Sequence, residues 1–223
     1  MEHVCSMARE HLEGEPLGQE ARRVPLSQLL WDIDWRRRLP VKLTDDDILV
    51  KASSFEAASV FVAEHYAELF EEEADSPFST RAASPAKTRY YQLAGDFFEF
   101  CQQGRTIGLL VCDPLDWSTY YIRSTAVLRD FQGRQLVAAF CKSVLFEELA
   151  RAGVERIECH TSPANLAMMH IMSRLRFNTT GTEFSERWGA LVRFTKFLDA
   201  RSEQTFLRQF CAGIKYQLRK EPT

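Results

Sequence analysis

Two neighbouring side chains, Glu158 and His160, are suited to exchange a proton with a ligand near neutral pH. Glu158 lies near the end of a short run, Val154–Cys159, whose composition predicts a strand, and His160 follows that run directly. Successive strand residues point to opposite faces, so Glu158 and His160 share one face while Ile157 and Cys159 share the other. A histidine has a reference pKa of about 6.5, close to physiological pH. The structural alternatives are a strand-end histidine bonded to a backbone carbonyl, and a surface or sheet-face salt bridge at Glu158.

A polar turn that contains a glycine, residues 129–135, could hold an anion. It follows a predicted strand, Tyr120–Leu128, and opens a helical pattern from Leu136 to Ala150 that Gly153 ends. Backbone N–H groups at such a helix start point outward and attract negative charge. The order strand, turn, helix, strand predicts a parallel pair of strands joined by a right-handed crossover.

Further elements are predicted on both sides of this unit, giving an α/β (α+β) chain with consecutive antiparallel hairpins. A capping box at Ser53 and Glu56 is expected to open a helix that runs to about Phe70. The other predicted elements are a strand at Asp47–Ala52, a loop or broken helix over 71–87, strands at Phe97–Gln102 and Thr106–Cys112, a helix at Leu166–Leu175, strands from Phe177 and at Ala190–Leu198, and an amphipathic helix at Phe206–Leu218.

Composition narrows the class of protein. The 223-residue chain has a formal net charge of −3, which gives no reason to expect a nucleic-acid partner. No window of 18 apolar residues predicts a membrane span, and the acidic start does not resemble a signal peptide. The six cysteines form no C-x-x-C pair, and the five histidines form no ligand-spaced cluster with them. We therefore expect a cytoplasmic protein without a bound metal.

The segment before the first predicted strand has two interpretations. Its tryptophans, Trp31 and Trp35, are expected to pack an arm onto the domain while the arginines Arg36–Arg38 face solvent. Alternatively, the arginines form a docking patch for an acidic partner or a phosphate. In either case we divide the chain into an N-terminal extension, a central domain and a C-terminal helix, at residues 1–44, 45–200 and 201–223.

The order of elements resembles the GCN5-related N-acetyltransferase (GNAT) superfamily over roughly residues 47–198. Three features carry the resemblance: the stretch Val127–Val137, which lies on the family's acyl-CoA pyrophosphate loop, the strand at Val154–Cys159, and the helix from Asn165 to Leu175-Arg176-Phe177. The resemblance implies a mixed, splayed sheet of six to seven strands flanked by helices. It also implies a transferase that moves an acetyl or longer acyl group from acetyl-CoA or acyl-CoA directly to an amine.

The resemblance also implies where the substrates bind. The donor would lie in the gap between the strand at residues 118–128 and the strand at residues 154–159, and a backbone N–H at Val127 would meet the developing oxyanion. Its contacts would be Val127, Leu128, Gln132, Gly133, Arg134, Gln135, Leu136, Val137 and Asn165. A small-molecule amine or amino acid would be bound by Tyr91, Glu183, Glu186, Arg187 and Trp188, with a glutamate for the ammonium and Arg187 for a carboxylate.

The chain departs from the family pattern at several positions. Gln135 and Val137 stand where small residues are usual, and a Cβ there restricts the approach of a phosphate. Met172 occupies the register of a tyrosine that serves as general acid in many relatives. The usual glutamate base on the central strand is missing, and Tyr121 and Arg123 stand in that region.

These departures leave the base to be supplied elsewhere and leave other functions open. An ammonium nucleophile must lose a proton, so Glu158 and His160 are the candidate catalytic residues. One alternative is an enzyme resembling N-acyl amino acid synthases, with an acyl carrier protein as donor and partner. Another is a GNAT-fold protein that binds a ligand or partner without chemistry.

Overall fold

The described part of the chain forms one eight-stranded sheet flanked by helices. The computed structural model describes residues 24–43, 47–65, 69, 85–185 and 188–210. Its helices are α1 (Leu26–Trp31), α2 (Trp35–Arg38), α3 (Phe55–Glu64), α4 (Pro85–Ala94), α5 (Leu136–Phe140), α6 (Phe146–Arg151), α7 (Leu166–Arg174) and α8 (Ala200–Phe210). Its strands are β1 (Val41–Lys42), β2 (Ile48–Ala52), β3 (Asp96–Gln102), β4 (Arg105–Pro114), β5 (Thr119–Val127), β6 (Arg156–Thr161), β7 (Asn178–Ser185) and β8 (Gly189–Phe197).

The strand order is β1-β2-β3-β4-β5-β6-β8-β7, and the pairing of β5 with β6 is parallel while every other pairing is antiparallel. The mixed sheet flanked by helices agrees with the predicted fold. The strand count exceeds the expected six to seven because the two-residue β1, which has no sequence signal of its own, pairs with β2. No helix within the described residues is long and apolar enough to cross a membrane.

Side chains at the helix ends explain several boundaries. Ser54, rather than Ser53, caps α3, because its hydroxyl accepts a hydrogen bond from the backbone N–H of Ala57. The capping box predicted at Ser53 was therefore displaced by one residue. The Ser53 hydroxyl instead donates a hydrogen bond to the carboxylate of Glu99 on the neighbouring strand β3. The predicted end of this helix at Phe70, the loop over 71–84 and the chain beyond residue 210 lie outside the described residues.

The long helix between β5 and β6 contains a π-helical turn. It starts as α5, widens at Cys141–Leu145, and continues as α6. Four of its buried residues, Leu136, Phe140, Leu145 and Leu149, are spaced by four, five and four positions. A π-helical turn contains an additional residue, so the five-residue step keeps all four side chains in the core.

The parallel pair β5–β6 is short. Its register joins Thr119–Ile122 to Arg156–Cys159, and β5 continues to Val127 without a further partner on the β6 side. The strands therefore separate after Ile122, which agrees with the splay that the resemblance implied. This opening positions the functional site.

The N-terminal arm packs against the sheet, as the first of its two interpretations predicted. Trp35 is buried and contacts Phe98 edge to face at 5.0 Å. The hydroxyls of Ser27 and Tyr120 each donate a hydrogen bond to the buried carboxyl of Asp96, at 2.8 Å and 2.7 Å. The arm is thus joined to strands β3 and β5 through one buried acid.

That acid makes stability depend on pH. Burial raises the pKa of Asp96 to about 6, although the two hydroxyl donors oppose the shift. The folded protein therefore holds this proton more tightly than the unfolded chain, and the contribution of Asp96 to stability falls as pH rises from about 4 to about 6. Asp96→Asn should remove this pH-dependent contribution to the free energy of unfolding, which is on the order of 3 kcal/mol.

The measurement is urea denaturation of wild type and variant between pH 4 and pH 7.5. We expect the free energy of unfolding of the wild type, relative to Asp96→Asn, to decrease through this range. The exposed Asp199, changed to Asn, serves as the control. A wild-type and Asp96→Asn difference that is constant with pH would contradict the assignment.

Candidate active site

A groove of about 400 Å³ opens where β5 and β6 separate. Most of the residues predicted to contact the donor line it: Val127, Gln132, Gly133, Gln135, Leu136, Val137 and Asn165. Two predicted contacts do not. The side chain of Leu128 is buried in a separate apolar cluster with Phe61 and Phe97, and Arg134 lies outside the groove with its guanidinium 5.0 Å from the Phe131 ring.

The turn before α5 has a backbone suited to an anion. Gly133 has a φ of +76°, and no atom lies within 4 Å of where a Cβ would stand. Gln135 also adopts the left-handed region, with φ 60° and ψ 24°, where glycine is the favoured residue. Gln135 therefore keeps the backbone of a glycine position while carrying a side chain.

Val137 restricts the groove less than its size suggested. Its side chain belongs to the main core and is only 4% exposed, so the branched Cβ is directed mostly away from the groove. The first intrahelical bond joins Ala139 N–H to the Gln135 carbonyl, so the preceding N–H groups of the first turn have no intrahelical acceptor. These groups and the helix dipole favour negative charge in the groove.

The backbone of Val127 faces the opening. Leu128 donates its N–H to Ile107 on β4, and successive strand residues direct their N–H groups to opposite edges. The N–H and carbonyl of Val127 therefore point towards the gap. The Gln132 side chain donates a hydrogen bond to that carbonyl at 3.0 Å, which holds the turn against the strand.

His160 lies just beyond the last paired residues of β5 and β6. Its Nδ1 is 3.1 Å from Oε1 of Glu183, a residue predicted to bind the acceptor, and its ring packs against Tyr121 at 5.5 Å. Its Nε2 is buried and has no hydrogen-bond partner within the described residues. A carboxylate on one ring nitrogen and an unused second nitrogen is an arrangement that can accept a proton.

Glu158 shares the half-buried face of β6 with His160, as the alternation predicted. Its carboxylate is 3.7 Å from Nε of Arg156, and it lines a second cavity rather than the donor groove. Glu158 thus lies within the paired part of β5 and β6, whereas His160 lies beyond it, nearer the opening.

Neither residue at the usual position of a strand base can act as one. Arg123 donates two hydrogen bonds of 2.7 Å to the buried carboxylate of Asp113, which raises the pKa of the guanidinium further. Burial raises the pKa of Tyr121 to about 12, so its phenol stays protonated at neutral pH. Met172, in the register of the family's acid, is fully buried in the core.

The remaining predicted acceptor residues are only partly brought together. Tyr91 on α4 stacks on Phe55 and lines a small cleft with Asp113 and Arg123. Trp188 is 46% exposed at the β7–β8 hairpin, and its backbone N–H donates a hydrogen bond to the Ser185 hydroxyl. Glu186 and Arg187 lie outside the described residues. No group of three possible metal ligands occurs among the residues that the structure describes.

The geometry has counterparts in known proteins. A sequence profile of the Acetyltransferase (GNAT) family matches residues 61–177. None of the curated protein sequences compared with the chain matches it.

Solved structures share the fold at low sequence identity. RimL, a ribosomal L7/L12 alpha-N-protein acetyltransferase in complex with coenzyme A, superposes with a TM-score of 0.56 and 14% identity over 73% of this chain and 99% of its own. A ribosomal-protein-S5-alanine acetyltransferase from Vibrio fischeri gives 0.54 and 14% over 72% and 98%. The putative acetyltransferase yncA from Salmonella typhimurium, with its cofactor acetyl-CoA, gives 0.51 and 18% over 69% and 95%.

The profile covers more than half of the chain and spans α4, the splayed strands, the turn at residues 129–135 and α7. The chain belongs to the acetyltransferase (GNAT) family and is an acyltransferase.

Proposed function

We propose that the protein transfers an acetyl or longer acyl group from acyl-CoA directly to the amine of a small molecule or amino acid. The observation that carries the proposal is that three features border the opening between β5 and β6. These are the start of α5 with its unpaired backbone N–H groups, the inward-facing backbone of Val127, and His160 with its carboxylate partner. Two related folds solved with coenzyme A or acetyl-CoA support this donor.

The donor would lie with its pyrophosphate on the backbone of Gln132–Val137 and its pantetheine along the unpaired part of β5. Asn165 lies across the groove, where its side chain caps α7 by accepting a hydrogen bond from the N–H of Met168 at 3.0 Å. Val127 lies at the turn end of the unpaired part of β5, where its N–H and carbonyl can bind the pantetheine, and the thioester would lie at the other end, next to Ile122 and His160. Because the turn keeps the backbone of a glycine-containing loop at Gln135, CoA is favoured over a carrier-borne donor.

The acceptor amine would approach from the face that carries His160. Nε2 of the imidazole accepts one ammonium proton, while the Glu183 carboxylate, 3.1 Å from Nδ1, orients the ring. The neutral amine attacks the thioester carbon and a C–N bond forms. Collapse of the intermediate breaks the C–S bond, and the second proton that the nitrogen must lose goes to the departing thiolate, directly or through water. The thiolate leaves without a dedicated acid, which suits the apolar Met172 because a thiol has a pKa of only about 8–9.

A charge placed in the turn should abolish donor binding. With acetyl-CoA at 100 times its Kd, we expect a stabilisation of about 2.7 kcal/mol in thermal denaturation. Gly133→Asp should lose it, because the carboxylate would repel the pyrophosphate. Gly104→Asp is the matched control: Gly104 also has a positive φ and open space around its Cβ, but lies in the β3–β4 turn. If no acyl-CoA at millimolar concentration stabilises the wild type, the CoA assignment fails and a carrier-borne donor or a non-catalytic function gains.

Removal of the imidazole should slow the transfer step. We expect His160→Gln to lower kcat by roughly 10²–10⁴-fold, with the largest loss at low pH, where a base is most needed. Glu183→Gln should give a smaller loss with the same pH trend, because it acts through the imidazole. The assay is release of CoA from acetyl-CoA with an amine panel, and exposed His170→Gln is the control. Full activity of His160→Gln between pH 6 and pH 9 would refute this role, and Glu158→Gln would then be tested as the alternative.

A further inference from the structure

A second cavity, of about 500 Å³, lies on the His160 face of the sheet between β6, β7, β8 and the C-terminal helix α8. Its polar wall contains Arg156, Glu158, Thr195 and Arg193, and its apolar wall contains Phe206 and Phe210. The register places Arg193 directly opposite His160, and Thr195 opposite Glu158. Side chains opposite each other on antiparallel strands have Cβ atoms about 4.5–5.5 Å apart, so the cavity adjoins the proposed base.

The two arginines differ in how their charge is balanced. The guanidinium of Arg156 has two carboxylate partners: its Nε is 3.7 Å from Oε1 of Glu158, and its Nη2 is 3.8 Å from Oδ2 of Asp116. Within the part of the chain that the structure describes, no carboxylate lies within ion-pair distance of the Arg193 guanidinium. Its hydrogen-bonded contact there is the Thr180 carbonyl at 3.4 Å. The side chain is exposed and lines the cavity, so the guanidinium of Arg193 can pair with an anionic group of a ligand there.

A glycine leaves room for this guanidinium. A Cβ on Gly181 would stand 3.0 Å from Nη2 and 3.4 Å from Cζ of Arg193, so the guanidinium lies against the bare backbone. Any larger residue at position 181 would push the fork away from the sheet. The position of Arg193 is therefore set by β7 as well as by its own strand.

The apolar wall is formed by aromatic rings of α8. Phe206 packs on Phe197 at 5.3 Å between ring centres and on Phe210 at 5.5 Å, and Phe210 is 73% exposed. A guanidinium on one side and exposed rings on the other suit a molecule that is anionic at one end and apolar at the other.

We propose that this cavity binds the body of the acceptor, and that the acceptor is an α-amino acid with an apolar side chain. The inference rests on the proposed function. Arg193 pairs with the carboxylate, the rings of α8 contact the side chain, and the amine is left beside His160. Arg193 is thus a specificity-determining residue, in a role that the sequence had suggested for Arg187.

The test measures binding of N-acetyl-L-phenylalanine and of its carboxamide by isothermal titration calorimetry with the full chain, which requires no turnover. We expect the acid to bind at least about tenfold more tightly than the amide, since a charged hydrogen bond is lost in the amide. R193Q should abolish this preference, R193K should retain part of it, and G181A should weaken binding of the acid. R105Q, an exposed arginine in the β3–β4 hairpin, is the control.

Equal binding of acid and amide by the wild type, or an undiminished preference in R193Q, overturns the inference. Binding of neither probe also overturns it, even when acetyl-CoA stabilises the protein, and leaves the acyltransferase function standing. If a peptide amide that begins with phenylalanine binds as tightly as N-acetyl-L-phenylalanine, the inference is also overturned. The acceptor would then be the N-terminus of a polypeptide. If the wild type prefers N-acetyl-L-phenylalanine to its carboxamide but does not bind acetyl-CoA, the proposed function is overturned and the assignment of the cavity stands.

Discussion

The site depends on the short parallel pairing between β5 and β6. Four residue pairs hold the strands together, and beyond Ile122 β5 no longer pairs with β6, which stays paired with β8 to its end. Backbone groups of β5 that would otherwise satisfy a neighbouring strand then face an opening. The same separation makes room for a ligand, supplies polar groups to bind it, and brings the start of α5 and the end of β6 to its sides.

Much of this arrangement follows from local sequence patterns. The turn, helix and strand after β5 were predicted because a glycine turn, helical spacing and strand alternation each act over a few residues. Alternation alone placed Glu158 and His160 on one face. The family resemblance added the expectation that both face the donor gap, but Glu158 lines the second cavity instead.

Other parts of the site depend on pairing between distant segments. The contact of His160 with Glu183 requires β8 to insert between β6 and β7, and the opposition of His160 and Arg193 depends on that register. Neither strand carries a residue pattern that specifies its neighbour. A distant residue also explains why Ser54 rather than Ser53 caps α3. The Ser53 hydroxyl donates its hydrogen bond to Glu99 on β3, and the Ser54 hydroxyl accepts the bond from the helix. Physical competition of this kind is not visible in a single stretch of sequence.

The π-helical turn lies between two parts of one helix, α5 and α6, that have different surroundings. Its first part must aim backbone N–H groups at the groove, while its last part packs beneath the sheet, where Phe146 contacts Phe177. In an uninterrupted α-helix the rotational setting of one end fixes that of the other, at about 100° per residue. The wide turn adds one residue to that relation, so Leu145 and Leu149 stay in the core while the other end of the helix lines the groove. One continuous helix thus presents its start to the groove and its second half to the interior.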